Sequence, residues 1–371
     1  MSDLFKGFLA AISVILSMPL AAGAADRLQT SAGPVIVEPV LTGLDTPWAV
    51  GFLPGGGFLV TERDGQLIFV DASNTPHRIA NLPKVAASGQ GGLLDVVVAR
   101  DFAKSGEIFL SYAKPDKRRA ATALAVARLD TAARRLRDVR VIFEMRNPIA
   151  GGRHFGSRIV EADDGTLFLT IGDRGEAKLA QDPMRHAGKV IRVNRDGSIP
   201  PDNPFASGGG LPEIWSLGHR NPQGAALDAR GRLWTVAHGA AGGDEINRPE
   251  AGKNYGWPVI SYGRHYSGGK IGRGTTAPGM EQPAFFWDPS IAPSGMMIYS
   301  GKLWPAWRGD IFVGALKFDY ISRLSGNPLR EQEQLFRDRY VRIRDIREAP
   351  DGTIWFLAVG EDSLFRIRPA G

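Results

Sequence analysis

The 371-residue sequence contains no cysteine, and this absence removes several classes of site. Disulfides, thiolate metal sites, iron–sulfur clusters and covalent c-type haem all need cysteine, so this chain has none of them. Several common signatures are also missing: there is no G-x-G-x-x-G after a strand, no G-x-x-x-x-G-K-[ST], no G-x-S-x-G and no H-E-x-x-H. Rossmann-type hydride transfer, phosphoryl transfer and zincin chemistry therefore lose support.

The first 24 residues have the features of a secretory signal. Lys6 precedes an apolar stretch that is too short to span a bilayer comfortably, and Ala22-Gly23-Ala24 forms an A-x-A cleavage site. An uncleaved membrane anchor is the alternative, but Pro19 interrupts the apolar run. We expect residues 1–24 to be a signal peptide, residues 25–371 to be a single periplasmic domain, and the protein to have no stable membrane insertion.

The formal net charge is +6, which is compatible with three kinds of partner. Nucleic acid, an anionic membrane and an anionic ligand in a pocket could each account for a basic surplus. Export makes nucleic acid the least suitable of the three. The charge alone decides nothing further, because a soluble basic surface explains it equally well.

A repeated unit organises the rest of the chain. The 46 glycines and 25 prolines, with no long helical periodicity, indicate short strands joined by turns. A glycine-containing turn followed by an apolar strand recurs about every 59 residues. Its six copies are "GGGFLVTE", "SGEIFLSYA", "DGTLFLTIGD", "RGRLWTVAHG", "RGDIFVGALK" and "DGTIWFLAVGE". They predict an all-β, six-bladed propeller with four-stranded antiparallel blades rather than a sandwich.

The basic segment 116–138 is the one stretch that resembles a helix or a binding patch. Its central part alternates like a strand and then enters a polar turn, so we interpret it as a solvated hairpin. A nucleic-acid or membrane patch is the alternative, and the segment receives no function.

Polar side chains cluster just before or after the repeated strands. Loops at one end of a propeller converge on the central channel, so these clusters could meet. The candidates are Gln90, His154, Asp173, Arg220 with Asn221, the carbonyl-rich and carboxylate-rich segment 237–258, Lys317, and Arg342 with Arg344. An antiparallel return could bring Asp173 beneath His154, where a carboxylate would orient the imidazole and raise its basicity.

Each cluster also has an ordinary interpretation. His154 alone could be a loop histidine, the cations could be surface side chains, and segment 237–258 could cap backbone or pack an aromatic corner. Convergence favours a site. Four cations at one mouth, Arg220, Lys317, Arg342 and Arg344, cost free energy unless a compact polyanion compensates them.

At these residues the chain resembles the exported quinoprotein soluble aldose sugar dehydrogenases, relatives of soluble glucose dehydrogenase. The match covers essentially the whole mature chain, and its motifs are collinear: "GLDTPWAVGFLPGG", "GQGGLLDV", "RHFGSRIV", "GKVIRVNRDGSIPPDNPF", "EIWSLGHRNPQG", "HGAAGGDEINRPEAGKNYGWP", "IAPSGMMIYSG", "FVGALK" and "RIRDIREAPDG". The resemblance implies a six-bladed propeller that binds pyrroloquinoline quinone (PQQ), a tricarboxylate, together with calcium. It also implies oxidation of aldoses at the anomeric carbon to lactones.

The resemblance implies a role for each matched residue. His154 would be the general base, Asp173 its supporting carboxylate, and Arg220 the cation beside the reacting quinone oxygen. A neutral imidazole is required, so activity is expected to fall in acid. The implied cofactor contacts are Gln90, Arg220, Asn221, Tyr266, Ala315, Leu316, Lys317, Arg342 and Arg344.

Calcium would be held against the quinone by the carbonyls of Gly239 and Ala240, with a second, structural ion at Glu245 and Tyr255 bound through their backbone oxygens. Implied partners are an aldose substrate and an external electron acceptor, and the protein could be a monomer or a homodimer. Arg153 and Ala240 depart from the glucose-oxidising relatives, which have an acid and a proline there, so the sugar is undetermined. A calcium-dependent propeller lactonase and a non-catalytic binding propeller remain alternatives.

Overall fold

The computed structural model describes residues 25–371, and the predicted signal peptide lies outside the described residues. The described chain is built almost entirely from β-strands. The first two are β1 (Asp26–Thr30) and β2 (Gly33–Leu41). Four short helical segments interrupt the strands: α1 (Phe102–Ser105) and the 3-10 turns Ala177–Gln181, Pro305–Trp307 and Val359–Glu361.

The remaining strands follow in chain order as six antiparallel groups. Blade 1 contains β3 (Pro47–Phe52), β4 (Phe58–Glu62), β5 (Gln66–Val70) and β6 (Pro76–Arg78). Blade 2 contains β7 (Leu93–Val98), β8 (Glu107–Asp116), β9 (Arg119–Asp130) and β10 (Arg135–Glu144). Blade 3 contains β11 (Ile159–Glu161), β12 (Leu167–Ile171), β13 (Lys189–Val193) and β14 (Ile214–Leu217).

Blade 4 contains β15 (Pro222–Leu227), β16 (Leu233–Ala237), β17 (Asp244–Asn247) and β18 (Phe285–Trp287). Blade 5 contains β19 (Pro293–Ile298), β20 (Ile311–Ala315), β21 (Ile321–Ser325) and β22 (Arg330–Leu335). Blade 6 contains β23 (Ile343–Glu348), β24 (Ile354–Ala358) and β25 (Ser363–Pro369) and is completed by β2. The predicted six-bladed propeller is confirmed.

The six repeated segments are the second strands of the six blades: β4, β8, β12, β16, β20 and β24. The glycine that opens each copy lies in the connection from the first strand, and all six have φ between 66° and 90°. Glycine adopts this left-handed conformation without the steric cost that a Cβ atom brings. Each repeat therefore consists of a glycine with positive φ followed by the buried second strand of a blade.

The two ends of the chain close the ring. Strand β2 pairs antiparallel with the C-terminal strand β25, from Val35 opposite Pro369 to Leu41 opposite Leu364. Strand β1 then pairs with β2 and adds a fifth strand to this sheet. The prediction of four strands per blade holds for the other five sheets, and the N-terminal hairpin extends the sixth.

The core is divided among the blade interfaces. Six separate apolar clusters each join strands of two neighbouring blades, as in the cluster of Phe109 and Leu124 with Ile159 and Leu169 between blades 2 and 3. The first strands of the blades contact one another in ring order around the central channel. Segment 116–138 forms most of the β9–β10 hairpin, as predicted, but the expectation that this hairpin is solvated is wrong for β9, which is buried from Ala120 to Ala127 between blades.

Strand polarity determines where the site lies. In an antiparallel blade, the start of the first strand and the end of the second strand lie at the same end of the ring. The candidate residues follow this rule: His154 and Arg220 precede first strands, and Asp173 and Lys317 follow second strands. We call this end of the propeller the site end. Among the described residues, no helix is long and apolar enough to cross a membrane.

Candidate active site

A cavity of about 420 Å³ opens at the site end. Its lining is polar and cationic and contains no aspartate or glutamate. The lining residues are Thr46, Pro47, Trp48, Arg63, Gln90, Asn221, Gln223, His238, Ala292, Leu316, Lys317, Arg342, Arg344 and Val359. Six of the nine predicted cofactor contacts are thus brought together: Gln90, Asn221, Leu316, Lys317, Arg342 and Arg344.

The four cations of the lining lack carboxylate partners. Arg63, Lys317, Arg342 and Arg344 form no ion pair with any residue in 25–371. Burial and repulsion from neighbouring arginines, Arg342 first, lower the pKa of Arg344 to about 9. Its guanidinium donates a hydrogen bond to Gln223 Oε1 at 3.0 Å. The cavity therefore carries a concentrated positive charge that favours an anionic ligand.

Beside this cavity, His154 is held by Asp173. The Nδ1–H of His154 donates to Asp173 Oδ1 at 2.6 Å, and only 12% of the histidine side chain is exposed. Trp257 Nε1–H donates to the other carboxylate oxygen at 2.8 Å, and the Gly175 N–H donates to Oδ1 at 2.8 Å. With Nδ1 protonated, Nε2 carries the lone pair that can accept a proton.

The charge of Asp173 depends on this set of donors. Burial alone raises the pKa of its carboxyl, but the hydrogen bond and charge of His154, with the donated Gly175 N–H, bring the pKa below its usual range. Asp173 therefore stays ionised and keeps the imidazole in the tautomer that has a basic Nε2. The predicted pairing of His154 with Asp173 is present in the structure.

The loop before His154 is braced from two sides. On one side, Gln90 Oε1 accepts the His154 N–H at 2.6 Å, and the Gln90 N–H donates to the Gly152 carbonyl at 2.6 Å. On the other side, the buried Arg174 guanidinium donates to the carbonyls of Gly151 (3.1 Å) and Arg153, and lies 3.3 Å from the ring centre of Phe155. Burial lowers the pKa of Arg174 to about 10.

Arg220 links the His154 pair to the cavity. Its guanidinium donates to the carbonyl of His238 at 3.3 Å and lies over the Trp257 ring at 5.3 Å, while its own carbonyl accepts the Asp173 N–H at 2.7 Å. Burial, together with the charges of Arg220 and Arg344, lowers the pKa of His238 to about 3, so its ring is neutral. Arg220 thus contacts residues of both parts of the site.

Asn221 leaves an unused donor in the cavity wall. Its Oδ1 accepts the N–H of Gly156 at 3.1 Å and the side-chain amide of Gln223 at 3.2 Å. Its Nδ2 has no hydrogen-bond partner among residues 25–371, although Asn221 is fully buried. A buried donor without a partner costs free energy, so this atom fits a ligand or a bound water.

A buried ion cluster lies below the cavity. Arg158 pairs with Asp95 at 3.0 Å and Asp345 at 3.1 Å, and Arg347 pairs with the same two carboxylates at 2.7 and 3.0 Å. Arg158 also lies 4.4 Å from the ring centre of Trp48 and donates to the Gln223 carbonyl at 3.0 Å. Because two arginines balance two aspartates, the cluster supports the cavity floor without neutralising the cations above it.

Comparison with known proteins places the chain in a family. The model of the glucose/sorbosone dehydrogenase family matches residues 44–366. The chain belongs to this family. It is 42% identical over 345 residues to the aldose sugar dehydrogenase YliI of Escherichia coli, covering 90% of this chain and 93% of that protein. The resemblance expected from the sequence motifs is confirmed.

Solved structures of the glucose/sorbosone dehydrogenase type agree with the fold. The apo form of the soluble aldose sugar dehydrogenase from Escherichia coli superposes with a TM-score of 0.87 at 42% identity, covering 90% of this chain and 99% of that one. The PQQ-bound form of the aldose sugar dehydrogenase from Streptomyces coelicolor superposes with a TM-score of 0.73 at 25% identity, covering 95% and 100%.

The residues implied by family resemblance for calcium fall in two places. The Ala240 carbonyl accepts the N–H groups of Gly242 (2.7 Å) and Arg264 (3.1 Å), and the Gly239 N–H donates to Asp244 Oδ1 (2.7 Å). Glu245 lies in β17, where burial raises the pKa of its carboxyl to about 7 and the Asn247 amide is 3.0 Å away. Tyr255 is buried and its hydroxyl accepts the Glu250 N–H at 3.0 Å.

Besides Arg220, two implied cofactor contacts lie outside the cavity lining, Ala315 and Tyr266. Ala315 is fully buried at the end of β20, directly before the lining residue Leu316. Tyr266 is 81% exposed on a loop from 262 to 275. The segment "GGDEIN", which had an alternative interpretation as a capping loop, contributes strand β17, and Asp244 within it accepts hydrogen bonds from the N–H groups of Ile291 and Ala292 at 2.8 and 3.0 Å.

The site also contains residues that were not singled out from the sequence, among them Trp48, Arg63, Gln223, His238 and Trp257. His238 and Trp257 do lie within the candidate segment 237–258. The repeat itself could have revealed two of them. Arg63 and His238 directly follow the second strands of blades 1 and 4, as Lys317 nearly does in blade 5. Trp257 had no such signal, because it lies on the long connection between β17 and β18 that returns to the site end.

Proposed function

We propose that this protein is a PQQ-dependent and calcium-dependent aldose dehydrogenase that oxidises the anomeric carbon of aldoses to lactones. The observation that carries the proposal is the His154–Asp173 pair beside a carboxylate-free, cationic cavity. Two relatives, an aldose sugar dehydrogenase and an aldose sugar dehydrogenase with bound PQQ, support the same chemistry. Export to the periplasm, a sugar substrate and an external acceptor belong to this proposal.

The cavity fits a compact tricarboxylate. Lys317, Arg342 and Arg344 offer charge-assisted hydrogen bonds to carboxylates, and no acidic side chain of the lining opposes them. The unpartnered Asn221 Nδ2 supplies a further donor. When bound, PQQ supplies a quinone that accepts a hydride.

The calcium residues fit a hard cation unequally. At the first position, no residue in 25–371 donates to the Gly239 carbonyl, whereas calcium would replace a hydrogen bond at the Ala240 carbonyl. At the second position, the buried Glu245 carboxylate has an amide beside it but no cation, so a divalent ion would supply the missing charge. Calcium at the first position would act as a Lewis acid.

The chain's own residues then perform the proton chemistry. His154 Nε2 takes the proton of the anomeric hydroxyl, and Asp173 stabilises the imidazolium that forms because it accepts the Nδ1–H. Gln90 and Arg174 hold the loop, so the imidazole is in place before the sugar arrives. Arg220 would place a positive charge beside the reacting quinone oxygen, where negative charge would develop.

The alternatives fit the structure less well. A calcium-dependent lactonase usually needs free carboxylates in the central channel, but Asp95 and Asp345 are both paired with arginines. A non-catalytic binding propeller has no need for an oriented, carboxylate-supported histidine. We further propose that nucleic acid is not a partner, that the protein has no stable membrane insertion, and that it is a monomer or a homodimer.

Reconstitution tests the proposal. The purified apo-protein is mixed with PQQ and calcium, and dye reduction is followed with a panel of aldoses. We expect reduction that depends on sugar, PQQ and calcium together. Absence of reduction with every sugar, together with an unchanged PQQ absorption spectrum, would refute the proposal.

A further inference from the structure

Two exposed segments at the site end are strongly basic. The tip of the β8–β9 hairpin carries Lys117, Arg118 and Arg119, and the loop from 262 to 275 carries Arg264, Lys270 and Arg273. All six side chains are exposed, and we call them the basic rim. Only Arg264 contacts an acid within residues 25–371, at 3.7 Å from Asp288. The other five rim cations have no ion-pair partner there.

The hairpin tip lies beside the loop of His154. Strands β8 and β9 pair as far as Asp116 opposite Arg119. Ala120, directly after the tip, exchanges both backbone hydrogen bonds with Ile149, at 3.2 and 3.3 Å. Ile149 begins the segment that leads to His154, so the first half of the basic rim borders the candidate active site.

The second half of the basic rim, on the loop from 262 to 275, borders the candidate active site from blade 4. The Arg264 N–H donates to the Ala240 carbonyl at 3.1 Å, two residues beyond the cavity residue His238. Tyr262 stacks on Phe286 with ring centres 4.0 Å apart, which fixes the base of the loop. No acid occurs between residues 261 and 280, and Tyr266 at the tip is 81% exposed. Exposed tyrosine among arginines is a composition that protein interfaces favour.

We propose that the basic rim is the docking surface for an acidic redox protein that accepts electrons from the reduced cofactor. The inference rests on the proposed function. Each sugar oxidation leaves two electrons on the cofactor, and two one-electron acceptor molecules remove them in succession while two protons are released. A cationic surface at the site end raises the rate at which an acidic partner meets the protein. It also places the partner near the cavity, which shortens the distance that electrons travel from the cofactor to the partner.

The opposite end of the propeller supplies a matched control. Lys104, Arg230 and Arg308 lie in the connections between first and second strands, Lys104 within α1, and Arg330 is the first residue of β22, the fourth strand of blade 5. All four are exposed and have no ion pair with the described part of the chain. Removing them changes the net charge as much as removing four rim cations does, but far from the cavity mouth.

The experiment compares two quadruple variants of the reconstituted holoenzyme with the wild type. The rim variant is K117Q/R118Q/K270Q/R273Q, and the control variant is K104Q/R230Q/R308Q/R330Q. Reduction driven by the best aldose of the panel is measured with an acidic c-type cytochrome and with a neutral benzoquinone, each at low and high salt. Binding of both variants to phosphatidylglycerol vesicles is measured in parallel.

We expect the rim variant to lose roughly tenfold in cytochrome reduction at low salt, with neutral quinone reduction unchanged and the control variant close to wild type. Equal losses in both variants would overturn the proposal, because they indicate net charge alone. Unchanged cytochrome reduction with lost vesicle binding would overturn it in favour of a membrane. If the wild type does not reduce the neutral quinone with any aldose, the proposed function fails and the docking role fails with it.

Discussion

Replacing Asp173 with asparagine tests the support of the proposed base. The carboxylate accepts three hydrogen bonds: His154 Nδ1–H and Gly175 N–H on Oδ1, and Trp257 Nε1–H on Oδ2. An asparagine amide has one acceptor oxygen and one NH2 group. In one orientation the NH2 group faces the Trp257 donor, and in the other it faces the Gly175 donor and can donate to His154 Nδ1.

Both orientations impair the site, for different reasons. The first leaves two donors facing each other in a buried position, at a cost of about 1–3 kcal/mol. The second moves the imidazole proton to Nε2, and the base then has no lone pair for the sugar. We expect Asp173→Asn to lower kcat by about 10²–10⁴-fold, which is the range of general base catalysis.

A double variant isolates the cause. In Asp173→Asn/Trp257→Phe the opposing indole donor is gone, so the amide oxygen can face His154 and Gly175 without conflict. We expect part of the lost kcat to return, with PQQ affinity the same in all variants. Initial rates of dye reduction with reconstituted protein provide the measurement. A kcat for Asp173→Asn within threefold of wild type, or no recovery in the double variant, would contradict the hydrogen-bond argument.

Three further outcomes follow from the same structure. Arg344→Met should weaken PQQ binding about 10-fold to 100-fold. It should also raise the melting temperature of the apo-protein, because it removes a cation that other arginines repel. Calorimetry without PQQ measures the melting temperature, and titration with PQQ measures the affinity. Arg174→Gln should lower kcat and leave the PQQ dissociation constant unchanged, since it braces the His154 loop and lines no part of the cavity. Burial lowers the pKa of His186, and its Nδ1 accepts the Arg146 N–H at 3.1 Å. As the pH falls below about 6.5, His186 therefore takes up a proton in the unfolded state while it is still neutral in the folded state. Stability should therefore decrease from pH 7 to pH 5 in urea titrations, and His186→Asn should make that decrease shallower by up to about 1.4 kcal/mol per pH unit.

The fold was predictable because one local requirement recurs. Each blade needs a glycine with positive φ before its buried second strand, so Gly165 and Gly352 mark their blades in the sequence as clearly as in the structure. The fifth strand of the last sheet had no such mark. Strand β1 joins it through the closure of β2 against β25, which is a pairing between the two ends of the chain.

The site was predictable only where it follows strand ends. Asp173 and Lys317 lie just beyond repeated strands, so their convergence with His154 followed from propeller geometry. Trp257 and Arg174 act through contacts that depend on the path of long loops, and no periodic pattern encodes such paths. The buried ion cluster was hidden for the same reason, because Asp95 and Asp345 are 250 residues apart and meet only in the closed ring.

The central claim is tested most directly by the reduction of bound PQQ in a single turnover, compared between wild type and His154→Ala, with the aldose that wild type oxidises fastest in the panel. Both proteins are loaded with PQQ and calcium, and the quinone absorption is followed after mixing with sugar. The account predicts equal PQQ affinity and a reduction rate that falls by about 10²-fold or more in the variant. Reduction at the wild-type rate without the imidazole would contradict it.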